Sequence, residues 1–158
     1  MIVTGDDFGL STSINDAISK SYKDGILTTA SLMVSAPNAD HAVKIAKKNP
    51  KLNVGLHIVL SNGNSVLAYK KIPSLVNADC EFKTNQFLAG INYFFNMKAR
   101  KQLKKEIRAQ FEAFKATGLR LDHVNAHKHI HLHPTIFNLI IKIGGEYNLT
   151  AIRIPNEP

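Results

Sequence analysis

Short apolar runs alternate with helical stretches along the whole chain, and no other feature restricts the fold as strongly. Residues 2–5, 29–34, 52–59, 121–126 and 150–154 read as strands, each short, largely apolar and bounded by turn-forming residues. Helical spacing fills the gaps between them. Ile14, Ala17, Ile18 and Tyr22 follow a start resembling a capping box at 13–16, and Ala39, Ala42, Val43 and Ala46 share a second face. Leu103, Ile107, Phe111 and Phe114 mark a strong helix over 98–116, and Pro134 opens another over 134–147. Gly25 is expected to end the first helix in a left-handed conformation, Asn49-Pro50 the second, and Gly118 the third.

Strand–helix alternation implies right-handed crossovers and a parallel sheet, so the C-terminal strand ends share one edge, where the active sites of such folds gather. Five strands fall short of a closed eight-stranded barrel, which takes about 250 residues. The sequence also stops just after the last of them. The expectation is an α/β, parallel-strand (β/α) barrel-like fold, the N-terminal part of a longer chain, with residues 1–158 forming one domain. Residues 61–81 lose all period and are rich in Asn, Ser, Gly and Pro. With the apolar residues that follow, including Phe87, Phe94, Phe95 and Met97, they predict an insertion or long loop at about 61–97.

Composition narrows the chemistry. With 44% hydrophobic and 20% charged residues the chain is of the ordinary globular type. Its apolar runs are far shorter than the roughly 18–20 residues that cross a bilayer. The start reaches Asp6-Asp7 with neither the basic nor the apolar region of a secretory signal, so cytoplasmic residence is expected. Cys80 is the single cysteine, which excludes an internal disulfide and a thiolate metal cage, and leaves N and O ligands. A net charge of +8 favours anionic partners without naming them.

Ligand-type residues come to the same edge from three segments. Asp6-Asp7 follow the first strand, His57 ends the third, and His127, His129, His131 and His133 follow the fourth. Each is ordinary alone, because strand-end aspartates cap helices and single histidines fill cores. Five of the seven histidines within residues 123–133 are harder to attribute to packing. Two imidazoles and one carboxylate bind a divalent ion and leave positions open for water and substrate, an arrangement suited to hydrolysis. In an extended segment 127, 129 and 131 would share one side. Competing motifs fail: Asp7-Phe8-Gly9 lacks the upstream parts of a kinase, and no Walker loop, Gly-x-Gly-x-x-Gly or His-Glu-x-x-His occurs. Ser11, Ser13 and Cys80 have no base partner nearby in sequence. The basic segment from Lys98 to Lys115 reads as a solvated helix face. Aromatics at 93–95 beside it make an anionic membrane surface a candidate contact. Nucleic acid is not expected, since aromatic and basic residues are not interleaved.

Residues 3–11 (VTGDDFGLS), 54–57 (VGLH) and 122–131 (DHVNAHKHIH) resemble the YdjC-type carbohydrate deacetylases, a resemblance that extends over essentially the whole chain. Residues 24–34 and 109–114 are most similar to the branch associated with hopanoid biosynthesis. The resemblance implies a distorted barrel and a divalent-metal enzyme, with magnesium or zinc foremost, that removes the acetyl group from an N-acetylated sugar or glycolipid. It implies Asp7, His57 and His127 as metal ligands and Asp6 as general base. His131, or else His129, is then the proton donor to the leaving amine, since imidazole titrates near neutrality. An N-acetylglucosaminyl hopanoid at the inner membrane face is the finer expectation. A chito-oligosaccharide substrate, a non-catalytic metal- or sugar-binding module, and a homodimer stay open.

Overall fold

The computed structural model describes residues 1–155, with backbone alone at Gln86 and Phe87. Expectations about the Phe87 side chain and residues 156–158 lie outside the described residues. Four strands, β1 Thr4–Phe8, β2 Thr29–Leu32, β3 Asn53–Ile58 and β4 Val124–Ala126, pair in parallel in the order β1-β2-β3-β4. Each crossover therefore moves one strand in the same direction. With right-handed crossovers, that progression stacks the connecting helices on one face, the pattern of a barrel rather than of a doubly wound sheet.

Side-chain contacts show how strongly the sheet is curled. Strands sit about 4.8 Å apart, so a flat sheet would hold β1 and β4 about 14 Å from each other. Yet the Asp7 carboxylate, near the end of β1, lies 2.9 Å from His127 Nδ1 just after β4. The concave side carries polar residues that bond to one another, Ser31, His57, His123 and Asn125. Alternate positions, among them Ala30, Leu32, Leu56, Ile58, Val124 and Ala126, are fully buried on the convex side beneath the helices. Truncating one of them, such as Leu56, to alanine costs about 2–5 kcal/mol.

Helix α1 (Thr12–Asp24) is capped by Ser11, whose Oγ accepts from Ile14 N, two residues before the expected start. Gly25 is not left-handed (φ −123°); the Ser21 carbonyl lies 2.8 Å from where its Cβ would be, so lack of a side chain is what the position needs. Helix α2 is Ala39–Lys48, and α4 is Met97–Ala116, capped by Asn96 and closed by Gly118 at φ +76°. Helix α5 spans Pro134–Gly145. The apolar stretch before α4 forms its own helix, α3 (Gln86–Phe95), whose N-cap Asn85 accepts from Leu88 N. Sequence periodicity missed it because both sides are apolar.

The fifth strand expected at 150–154 is reduced to one parallel bridge between Val124 and Ile152. Val124 N donates to Ala151 O and Arg153 N donates to Val124 O, so the segment still follows the edge of β4. The segment 59–75 is held by polar residues on the buried side of α4. Glu106 accepts from Val66 N and Leu67 N, Gln102 accepts from Ser74 N, and Gln110 both accepts from Val59 N and donates to Val59 O. Among the described residues no helix is long and apolar enough to cross a membrane.

Candidate metal centre

A break in the β1–β2 ladder shapes the site. Gly5 faces Ala30 and Phe8 faces Leu32, so β1 advances three residues against two on β2 and bulges at Asp6-Asp7. Asp7 adopts φ +58°, a left-handed conformation that aspartate tolerates better than most residues. Adjacent residues of a regular strand would point to opposite faces. The bulge instead lets both carboxylates reach the concave side. Asn15 of α1 stabilises the turn that follows by accepting from Gly9 N at 2.7 Å.

Asp7, His57 and His127 each offer a ligand atom, and these atoms all lie within 4.8 Å of one another. Asp7 Oδ1 is 2.9 Å from His127 Nδ1 and 3.2 Å from His57 Nε2, with the imidazoles edge to face at 5.6 Å. His57 is 2% exposed and its Nδ1 donates to Asn125 Oδ1 at 2.6 Å. Nε2 is thereby left as a lone pair, buried and without a hydrogen-bond partner, facing a carboxylate oxygen. Two acceptors this close fit a cation between them, and two imidazoles with one carboxylate form a donor set for a borderline or hard divalent ion. The His127 hydrogen bond and the two nearby imidazoles hold Asp7 ionised far below the usual carboxylate range, against the opposing effect of burial.

Asp6 occupies a separate position beside this set. Both of its oxygens accept from the Arg153 guanidinium, at 3.0 and 2.6 Å, and Oδ1 also accepts from Asn125 Nδ2 at 3.0 Å. Burial favours the protonated acid, but Arg153, His57 and Asn125 together outweigh it and lower the pKa. Arg153 was not singled out by sequence reasoning. Its one signal was position, at the expected strand end on the edge where the other residues gather.

The histidine segment does not run extended. It forms 3-10 turns over His127–Leu132 with left-handed Lys128 and His129 (φ +52° and +54°), so 127, 129 and 131 do not share one side. The chain must reverse between the end of β4 and Pro134 of α5, and two consecutive left-handed residues achieve it. His131 is fully buried; its Nε2 donates to the Arg153 carbonyl at 2.8 Å and its Nδ1 has no partner. Burial lowers its pKa, the Arg153 carbonyl opposing. His129 and His133 turn away to line a groove of about 580 Å³ with Gly90, Ile91, Phe94 and Phe95. Ser11 Oγ caps α1 and contacts Ser13 Oγ, while Cys80 Sγ accepts from Tyr69 N, so each of these candidate nucleophiles has a structural use.

The same arrangement of sequence and fold recurs in known proteins. A carbohydrate deacetylase of Brevibacillus brevis is 36% identical over 157 residues, which cover 98% of this chain and 59% of that one. One from Geobacillus stearothermophilus is 36% identical over 149 residues, covering 94% and 57%. The chain thus spans somewhat under three fifths of the length of these curated relatives. An Enterococcus faecalis V583 structure named for cellobiose-phosphate cleavage superposes with a TM-score of 0.82 at 23% identity, over 99% of this chain and 59% of that one, a likeness of fold. The family model described as YdjC-like protein matches residues 1–158, and the chain belongs to that family.

Proposed function

We propose that this chain carries the metal-binding part of a carbohydrate N-deacetylase, which hydrolyses the acetamido group of an N-acetylated amino sugar. The observation that supports it most is the convergence of Asp7, His57 and His127 at a strand-end edge with a lone pair and a carboxylate turned towards each other. Carbohydrate deacetylases among the relatives agree with the reading. A divalent ion held by these three residues, magnesium or zinc foremost, would supply Lewis acidity for an amide carbonyl, a poor electrophile.

The chain's own groups do the rest. Asp6, kept ionised by Arg153, takes a proton from the attacking water. Its bidentate pairing also fixes the direction in which the carboxylate presents its remaining lone pairs. His131 first takes up a proton from solvent at Nδ1, the ring nitrogen with no protein partner, and as imidazolium passes it to the departing amine, while Nε2–H stays anchored on the Arg153 carbonyl. Burial makes its imidazolium a stronger acid, and the groups covering Nδ1 must part for the transfer.

For the substrate, an N-acetylglucosaminyl lipid of the hopanoid type is the finer reading. The groove that begins at Lys128, next to His127, is walled by Ile91, Phe94 and Phe95, with Phe95 76% exposed. A second surface groove combines Phe94 and Met97 with Arg100, Lys101 and Lys104, a mixture suited to an anionic membrane surface. The test is acetate release from N-acetylglucosamine conjugates, lost with a chelator and restored by a divalent ion. No release from any conjugate overturns the enzyme reading, and metal binding without release would make this a binding module. Equal turnover of soluble chito-oligosaccharides and lipid-linked sugar would move the substrate to the soluble class.

A further inference from the structure

Behind Asn125 runs a chain of hydrogen bonds that the chemistry above does not use. The Asn125 carboxamide is fully buried, with Oδ1 accepting from His57 Nδ1 at 2.6 Å and Nδ2 donating to Asp6 Oδ1 and Ser31 Oγ, both at 3.0 Å. Ser31 Oγ lies 3.0 Å from His123 Nε2, and His123 Nδ1 lies 3.0 Å from Asp122 Oδ2. Ser31 is fully buried, His123 is 8% exposed, and the Asp122 side chain is 39% exposed.

The proton positions follow from the ends of this chain. An ionised Asp6 only accepts, so the amide NH₂ must face it and Oδ1 must face His57. His57 then carries its proton on Nδ1. Ser31, already accepting from Asn125, gives its own hydrogen to His123 Nε2. His123 is left with a proton on Nδ1, directed at the Asp122 carboxylate. Four bonds run in one direction from His57 to Asp122, and aligned bonds in a low-dielectric interior reinforce one another. The backbone makes room for this: a Cβ on Gly55, the register partner of Ser31, would sit 2.4–2.5 Å from three atoms of the His123 ring. The strand gives up a side chain where the ring lies.

We propose that Ser31, His123 and Asp122 are positioning residues that act through Asn125 to hold His57 as the Nδ1-protonated tautomer, turning its Nε2 lone pair towards Asp7 and His127 and so setting the affinity of the centre for a divalent cation. The inference rests on the metal-centre reading. Reversing the Asn125 amide would set its oxygen against the Asp6 carboxylate and its NH₂ against His57 Nδ1. That moves the imidazole proton to Nε2, where it blocks coordination.

The test reads the tautomer directly, in metal-free protein, from long-range nitrogen–proton correlations of the His57 ring, and in parallel the dissociation constants of zinc and cobalt(II). Wild type should show a single Nδ1–H tautomer. His123→Phe keeps the ring volume over Gly55 but removes the acceptor, and Ser31→Ala breaks the link. Both should mix the tautomers and weaken cation binding about 10- to 100-fold, as loss of groups behind a ligand does. Asp122→Asn, at the exposed end, serves where a buried variant fails to fold, with a smaller loss of under about tenfold. An Nε2–H tautomer in wild type, or variants with unchanged tautomer and affinity and only a lower Tm, would overturn the proposal. So would mixed tautomers with affinity kept within about twofold. Wild type that shows the Nδ1–H tautomer but binds neither cation would instead reject the metal-centre reading, and the affinity claim with it.

Discussion

The buried side of α4 and the strand-end edge of the sheet both take polar groups out of water, and they do so on different terms. On α4, Glu106 is fully buried, yet both its oxygens accept backbone N–H groups and Gln110 Nε2 also donates to it. Each bond stabilises the path of residues 59–75, and nothing is left over. At the strand ends the outcome is the opposite. Among the described residues, the buried side-chain nitrogen and oxygen atoms without a hydrogen-bond partner are His57 Nε2 and the Nδ1 atoms of His129, His131 and His133. An unsatisfied buried group costs about 1–3 kcal/mol, so folding alone does not explain why four imidazole nitrogens are kept that way. A satisfied polar stripe is part of the scaffold, whereas an orphaned His57 Nε2 facing the Asp7 carboxylate awaits something from outside the chain.

If that contrast holds, substitutions in the two regions must fail in different ways. The largest effect is expected at Asp6: in an enzyme preparation that releases acetate, Asp6→Asn should lower kcat by about 10²- to 10⁴-fold while metal stays bound. Loss of metal in this variant would merge Asp6 with Asp7 and remove the division between them. Next comes Asp7→Ala, which should weaken cation affinity by more than about 100-fold, measured by calorimetric titration, because a ligand matters more than the groups behind it. Its metal-free stability should not fall by a comparable amount. Glu106→Ala should do the reverse. It strands Val66 N and Leu67 N and should cost about 3 kcal/mol in urea unfolding, with cation affinity of the folded protein unchanged.

The smallest effect concerns pH. Burial lowers the His131 pKa in the folded state, so on acidification the unfolded chain takes up this proton first, near its ordinary value of about 6.5. The stabilisation due to neutral His131 is complete above that pH and is lost as pH falls from there towards the folded value. Urea midpoints of metal-free protein at several pH values should therefore slope more steeply in wild type than in His131→Gln. Equal slopes would mean that the folded protein accommodates the imidazolium.

What the sequence reveals of this molecule divides along the same line. Alternating strand and helix periods yield a parallel sheet, because apolar spacing is a local property that the core imposes. Helix α3 escapes that reading since Leu88, Ile91, Phe94 and Phe95 stay partly exposed on a helix with little polar contrast. The grouping of Asp7, His57 and His127 follows from parallel strands ending at one edge, which topology alone supplies. Arg153 could not be chosen that way: its partner Asp6 lies 147 positions away, and the contact depends on how far the sheet curls. The bulge at Asp6-Asp7 and the left-handed turn at Lys128-His129 are likewise invisible to periodicity, being departures from regular geometry that tertiary bonds enforce.

The central claim is that Asp7, His57 and His127 form a divalent-cation site, and titration of chelator-treated protein with cobalt(II), followed by its visible absorption, tests it most directly. One equivalent should bind per chain, with a spectrum lost in Asp7→Ala and in His57→Ala and retained in Asp6→Ala. Stoichiometric binding with an unchanged spectrum in the Asp7 and His57 variants would contradict it.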